Sequence, residues 1–247
     1  MEERHLRDKQ FHECLYSEGG REAASKYYRI VGDRNTLYDQ LLTSHCSDRR
    51  ILELGCGQGE YTYFLAEKGD FVTAIDLSEI AIEQAQESAR LKNLDNTNFQ
   101  VMNAEQLDFD DDAFDVVCGG AIVHHLDLCK AFSEITRVLQ PHGVAIFMEP
   151  LGHNPLINLY RKLTPSMRLE EEHPLRMEDL DFLRSFFKRA DLHYFHLLSL
   201  MAVLFDGTRF FTRLLRILNA ADRFLFRNLP FMRRYAWYCV MVFDQPK

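Results

Sequence analysis

The sequence predicts an α/β fold built on a mostly parallel sheet with helices on both faces, and three observations carry that prediction. A short apolar run, Ile51, Leu52 and Leu54, leads straight into glycines at alternate positions in ILELGCGQGEYT. A second apolar run, Phe71 to Ile75, ends in Asp76. Further apolar runs then alternate with helical patterns at the intervals of strand-helix-strand units, the signature of a parallel sheet covered on both sides. Such sheets bind ligands at the carboxyl ends of their strands, so the residues just after each run are the candidate site.

Residues 1–47 read as short helices, because REAASKYYRIV and TLYDQLLTSH carry apolar residues at helical spacing. The first strand, Ile51 to Leu54, suits burial on both faces, with Glu53 at its carboxyl end. Gly55, Gly57 and Gly59 then permit positive φ and close approach of a ligand, and the N–H groups that open the next helix favour a polar or anionic one. A dinucleotide fold would use G-x-G-x-x-G. This chain has E-x-G-x-G-x-G with Gln58 and Glu60 flanking the last glycine, and Glu60 would sit badly beside a pyrophosphate.

Asp76 falls where Rossmann-like folds place a ribose-binding acid. An Asp ending a strand can instead cap the next helix, but Ser78 suits that role better, directly before EIAIEQAQESARL. A third run, Phe99 to Met102, is followed by Asn103, Ala104 and Glu105. The fourth, in FDVVCGGAIVHHL, ends in Gly119 and Gly120 and leads to His124 and His125. AFSEITRVLQPHGVAIFMEP reads as a helix, a turn at Pro141 to Gly143 and a fifth strand. MEDLDFLRSFFKRA reads as a helix, HYFHLLSL near residues 193–200 as a sixth strand, and YAWYCVMVF, residues 235–243, as a seventh.

These ordered segments, spanning roughly residues 48–150, resemble the motifs of class I S-adenosylmethionine-dependent methyltransferases of the small-molecule type. The resemblance implies a Rossmann-like, seven-stranded sheet whose last strand is antiparallel. It also implies that S-adenosylmethionine is held by Glu53, Gly55, Cys56, Gly57 and Gly59, by Asp76 and Leu77 at the ribose, and by Asn103, Ala104, Glu105 and Gly119. Asn103 stands where the family usually has Asp; its amide oxygen can accept from the adenine amine, while N–H groups around Ala104 or Glu105 donate to the ring. In the family the N-terminal segment folds over the substrate mouth, which makes Tyr27, Tyr28 and Arg21 pocket candidates. The alternative for each is a place on an ordinary amphipathic helix.

Methyl transfer is an in-line displacement in which orientation supplies much of the catalysis, and a base is needed only where the nucleophile carries a proton. His124 and His125 follow the fourth strand where the methyl group is expected, and imidazole with a pKa near ~6.5 can take a hydroxyl or phenol proton. His124 is the first candidate; a purely structural tie to neighbouring backbone is the alternative. No metal is expected, since quinone-pathway O-methyltransferases of related pattern carry acids where this chain has Ala121 and His124. In the first insertion, residues 151–176, His153, Asn154, Tyr160 and Arg161 are candidate substrate contacts, with helix capping or surface roles as the competing reading.

At 247 residues the chain suits one domain, 1–247, with 1–47 as an N-terminal helical cap, 48–150 as the cofactor-binding core, 151–176 and 201–234 as substrate-cap insertions, and 235–247 as the final strand. A net charge of −8 argues against nucleic acid as the main partner. The expected partner is a small-molecule methyl acceptor. A protein or nucleic-acid methyltransferase is disfavoured because no Asn/Asp-Pro-Pro-Tyr signature follows the fourth strand, and a non-catalytic cofactor-binding module is the rival of a different class. Six cysteines without a C-x-x-C pair, a charged N-terminus and no stretch of transmembrane length give the expectation of a cytoplasmic protein with reduced thiols. The second insertion interleaves arginines with Phe and Leu, which suits either a cap helix on the sheet or peripheral contact with a membrane or an amphiphilic substrate.

Overall fold

The computed structural model describes Arg7, residues 29–164 and residues 174–247. Within them a seven-stranded sheet runs in the order β3-β2-β1-β4-β5-β7-β6. Its strands are β1 (Arg50–Leu54), β2 (Phe71–Asp76), β3 (Thr97–Val101), β4 (Phe114–Gly120), β5 (Leu139–Pro150), β6 (Phe187–Phe195) and β7 (Tyr238–Pro246). The pairs from β3 through β5 are parallel, and β7 lies antiparallel to both β5 and β6. This is the expected sheet, last strand included. Strand order reverses at β1, between β2 and β4, which opens the crevice where such sheets take ligands.

Side chains alternate across the central strands and divide the core into two layers. Leu52, Leu54, Val117, Ala145, Phe147, Met241 and Phe243 face one side. There they meet Phe132, Ile135 and Val138 of α4 (Leu128–Val138) and Leu180 and Leu183 of α6 (Met177–Arg184). Ile51, Val116, Cys118, Ile146 and Val240 face the other. Tyr38, Leu42 and Cys46 of α1 (Gly32–Cys46) and Leu65 of α2 (Glu60–Ala66) cover that side. Each large apolar side chain fully buried in these layers contributes about 1.5–3 kcal/mol. The third sheet-flanking helix, α3 (Glu79–Leu91), lays Ile82, Ala85 and Ala89 on Ala74 and Phe99. Ser78 caps it as expected, its hydroxyl accepting from Ala81 N at 3.1 Å.

The structure corrects several boundaries. The helix expected to run to Ala190 stops at Arg184, and FKRA opens β6, which therefore spans 187–195 rather than 193–200. Phe187 decides this: it is buried, stacked on Phe243 at 5.1 Å and set edge-on to Phe132 at 6.3 Å, partners available only from a strand beside β7. The turn expected at Pro141 to Gly143 is absorbed into β5, whose pairing with β4 shifts register between Phe114 and Val116. The seventh strand begins three residues late, because Pro230–Tyr235 coils into a 3-10 turn.

Two helical excursions follow the carboxyl ends of β5 and β6. The first contains α5 (Pro155–Leu163). The second consists of a 3-10 turn (Ser199–Phe205), α7 (Phe211–Asn228) and the turn that precedes β7. They share a small core of Ile30, Val31, Ile157, Leu200 and Ala202, against which Leu215, Leu218 and Trp237 pack. Buried Asp222 of α7 accepts from the N–H groups of Leu197, Leu198 and Ser199 and so pins the helix to the chain leaving β6. Tyr27, Tyr28 and Arg21 lie outside the described residues.

Candidate active site

The glycine turn links β1 to α2. Gly55, Gly57 and Gly59 take φ values of 65°, 52° and 84°, which side chains rarely adopt. Cys56 N donates to Ile75 O at 3.0 Å, and Gly57 N donates to one carboxylate oxygen of Asp76 at 2.9 Å. The other oxygen accepts from Ser78 N at 2.9 Å. Two backbone bonds thus fix Asp76 beside the turn, and each oxygen keeps a further acceptor position. At the end of β4, a Cβ on Gly119 would lie 2.8 Å from Leu54 O, so glycine is what lets β1 and β4 converge there. Burial, with the charges of Glu53 and Asp76 adding to it, drives the Cys56 thiol upward, leaving it an inert filler beneath the backbone.

Glu53 turns inward. It is 5% exposed and accepts from Thr62 Oγ1 of α2 at 2.5 Å, tying strand to helix. Burial pushes its carboxyl up to about 8, helped by the Asp76 charge and opposed by the Thr62 hydrogen bond. The folded state therefore holds a proton that the unfolded chain releases from about pH 4.5 upward, so this group's contribution to stability falls as pH rises to about 8. In Glu53→Gln, which keeps an acceptor for Thr62, that fall is expected to vanish. The variant's advantage in unfolding free energy should grow by about 1.4 kcal/mol per pH unit across this window. Urea titrations at several pH values measure it; a difference that does not change with pH would refute the buried, protonated carboxyl.

Beyond β3, Asn103 Oδ1 accepts from Glu105 N at 2.9 Å, and Glu105 Oε1 accepts from Asp127 N at 2.7 Å. Glu105 is thus committed to tying this loop to the start of α4, and its N–H already has an acceptor. Ala104, between them, is buried.

The histidine pair sits on a 3-10 turn, Val123–His125, entered through Ala121 at φ 57°. Glu149, fully buried near the end of β5, organises it. Its Oε1 accepts from Ile122 N at 2.8 Å and Val123 N at 2.9 Å, and its Oε2 meets His124 Nδ1 at 2.7 Å. With the carboxylate as acceptor, Nδ1 carries the hydrogen and Nε2 keeps its lone pair. The His125 ring packs on that of His124, centroids 4.1 Å apart.

Arg34, at the start of α1, is a second group that sequence reasoning passed over. Its side chain is buried and its guanidinium lies 3.9 Å over the Tyr238 ring. Nε and Nη2 donate to Asn35 Oδ1 at 3.0 and 2.8 Å, while Nη1 has no hydrogen-bond partner among the described residues. Tyr238 pairs with Pro150, next to Glu149, so this cation stands at the same edge as the His124 dyad. A guanidinium is always charged, and burying one with an open donor calls for an anion. His196, buried nearby, cannot add to the charge: burial, then Arg34, pushes its imidazole down to about 3.

In the first insertion the fold uses the polar atoms that were candidates for substrate. Asn154 caps α5, accepting from Leu156 N and Ile157 N and donating to Tyr235 O, so its side chain serves the helix end and not a ligand. His153 Nε2 receives Met177 N at 3.5 Å as α6 begins. Arg161 reaches Leu151 O at 3.4 Å and Asn158 Oδ1 at 3.2 Å, and Tyr160 shares its turn of α5.

Comparison with known proteins agrees with this geometry. A family described as "methyltransferase domain" matches residues 51–143. The chain is 27% identical over 169 residues to an uncharacterized methyltransferase, YcgJ, of Bacillus subtilis, covering 67% of this chain and 66% of that one. It is 34% identical over 113 residues to a ubiquinone biosynthesis O-methyltransferase of Alkalilimnicola ehrlichii, covering 45% of each. Thus it spans from just under half to about two thirds of the length of these relatives. Among solved structures, geranyl diphosphate C-methyltransferase from Streptomyces coelicolor, complexed with Mg2+, geranyl diphosphate and S-adenosyl-L-homocysteine, superposes with a TM-score of 0.61 at 16% identity. That match covers 85% of this chain and 80% of the other and shows a shared fold.

Proposed function

From a chain that belongs, through its domain at residues 51–143, to the class I S-adenosylmethionine-dependent methyltransferases, we propose an enzyme that methylates an oxygen of a small molecule with His124 as base. The residues fit the cofactor. Asp76 has acceptor positions left for both ribose hydroxyls, and the positive-φ glycines leave the backbone open beside it. Asn103 and the Ala104 N–H would take the adenine edge, and the open donor of Arg34 would take the carboxylate of the amino-acid tail.

When bound, the cofactor supplies an electrophilic methyl group on a sulfonium. The chain's own task is then to orient the acceptor and remove its proton. His124 Nε2 is the atom for that, since Glu149 holds Nδ1–H and would stabilise the imidazolium that forms. This dyad is the observation that carries the reading: a hydroxyl must lose a proton as it is methylated, whereas a neutral amine attacks with a free lone pair. The family's acceptors vary, so the oxygen assignment rests on the dyad alone.

Incubation with methyl-labelled S-adenosylmethionine and a small-metabolite extract should yield a labelled methyl ether, identified by mass spectrometry. A labelled N-methyl product would overturn the assignment to oxygen. Saturable cofactor binding with no incorporation into any fraction would support a cofactor-binding interaction module instead.

A further inference from the structure

The cap carries a surface that methyl transfer does not explain. Residues 201–237 contain seven arginines, no lysine and only two aspartates, in a chain whose net charge is −8. Both aspartates are engaged: Asp222 by three backbone N–H groups, and Asp206 by Arg29 at 2.7 Å. On α7 the buried side is Asn219, Asp222 and Phe226. The rest of its circumference presents Arg213, Arg216, Ile217, Arg223, Phe224 and Arg227 to solvent. Arg213, Arg216 and Arg227 have no acidic partner among the described residues.

Large apolar side chains stand among these cations. Ile217 is 58% exposed, Phe224 66%, and from the flanking turns Leu204 80% and Phe231 64%. A helix face selected only for solvation would mix both signs of charge and omit the phenyl rings. Beside this face lies an open cleft of about 500 Å³ between α1, β6 and α7, into which Arg223, Arg227 and Arg233 converge with His193 and Phe195. Among the described residues that line it the one carboxylate is Asp33, paired with Arg223 at 3.0 Å, while His193 meets Asp191 at 3.3 Å. Planar guanidiniums around a cleft suit a phosphate diester.

We propose that this face docks on an anionic lipid bilayer, with the cleft taking a lipid phosphate and the exposed apolar residues entering the interface. Cations alone would suit any polyanion. The interleaved Leu204, Ile217, Phe224 and Phe231 gain only where hydrocarbon is at hand, and that favours a membrane over nucleic acid or an acidic protein. No described helix is long and apolar enough to cross a membrane, so the contact is with its surface.

Flotation of the full chain with vesicles of phosphatidylcholine alone, and of phosphatidylcholine mixed with phosphatidylglycerol, tests this. Binding is expected only to the anionic mixture and should weaken as salt is added. Arg213→Ala/Arg216→Ala/Arg227→Ala should lower the partition coefficient about a hundredfold. Ile217→Ser/Phe224→Ser should lower it at high as well as low salt. Both variants alter exposed side chains and should melt with the wild type. Failure to float at low salt, whatever proteins the chain captures, would overturn the proposal. So would equal binding to both vesicles, or indifference to both variants.

Discussion

Asp76→Ala is expected to raise the dissociation constant for S-adenosylhomocysteine by about 10²–10⁴-fold, because it removes two hydrogen bonds to a charged acceptor, each worth about 1.5–3 kcal/mol. The structure adds a second cost. The carboxylate that would take the ribose hydroxyls also receives Gly57 N and Ser78 N, so alanine frees the glycine turn from the end of β2 as well. Isothermal titration measures the loss, and Asp76→Asn should fall between the two, since its amide oxygen can replace one acceptor but not both. Unchanged affinity in Asp76→Ala would sink the placement of the cofactor.

His124→Ala should reduce kcat by about 10²–10⁴, the usual worth of a positioned general base, while cofactor affinity stays within a few-fold of wild type. Glu149→Gln gives the sharper test. Ile122 N and Val123 N both donate to Glu149 Oε1, so a glutamine must point its oxygen at them and its NH2 at His124 Nδ1. Nδ1 would then have to accept, Nε2 would carry the hydrogen, and the ring could no longer take a proton from the acceptor. A loss comparable to that of His124→Ala is expected, although the replacement changes hardly any volume. If Glu149→Gln retained full kcat, His124 would be a structural tie and the base would have to be sought elsewhere. His125 makes an internal comparison: its ring packs on His124, and if it were the base, His125→Ala would show the larger loss.

Much of the fold was legible because the signals that specify it are local. Alternation of short apolar runs with helical patterns follows from the two periods of side-chain direction, and the turn at Gly55 to Gly59 follows from conformations that only glycine adopts easily. The Ser78 cap was equally local, three residues from the N–H it accepts. Errors arose where a segment's choice lay with a distant partner. FFKRA reads as the tail of a helix until Phe187 meets Phe132 and Phe243, far away in the chain. The tie of Glu53 to Thr62 was likewise not legible, since only the packing of α2 on β1 brings the two side chains together.

The sequence by itself determined the sheet, its flanking helices, the glycine turn with Asp76 beside it, and the histidine pair after β4, since these rest on residue types acting within one turn or one strand. Only the tertiary structure decided which histidine is oriented and by what, because Glu149 reaches His124 across paired strands, 25 residues away. It alone placed Arg34 over Tyr238 and turned the arginines and Phe224 of α7 outward. The physical reason is common to both: an amphipathic pattern says that a helix has two faces, but which one meets solvent depends on the partners that packing brings against it.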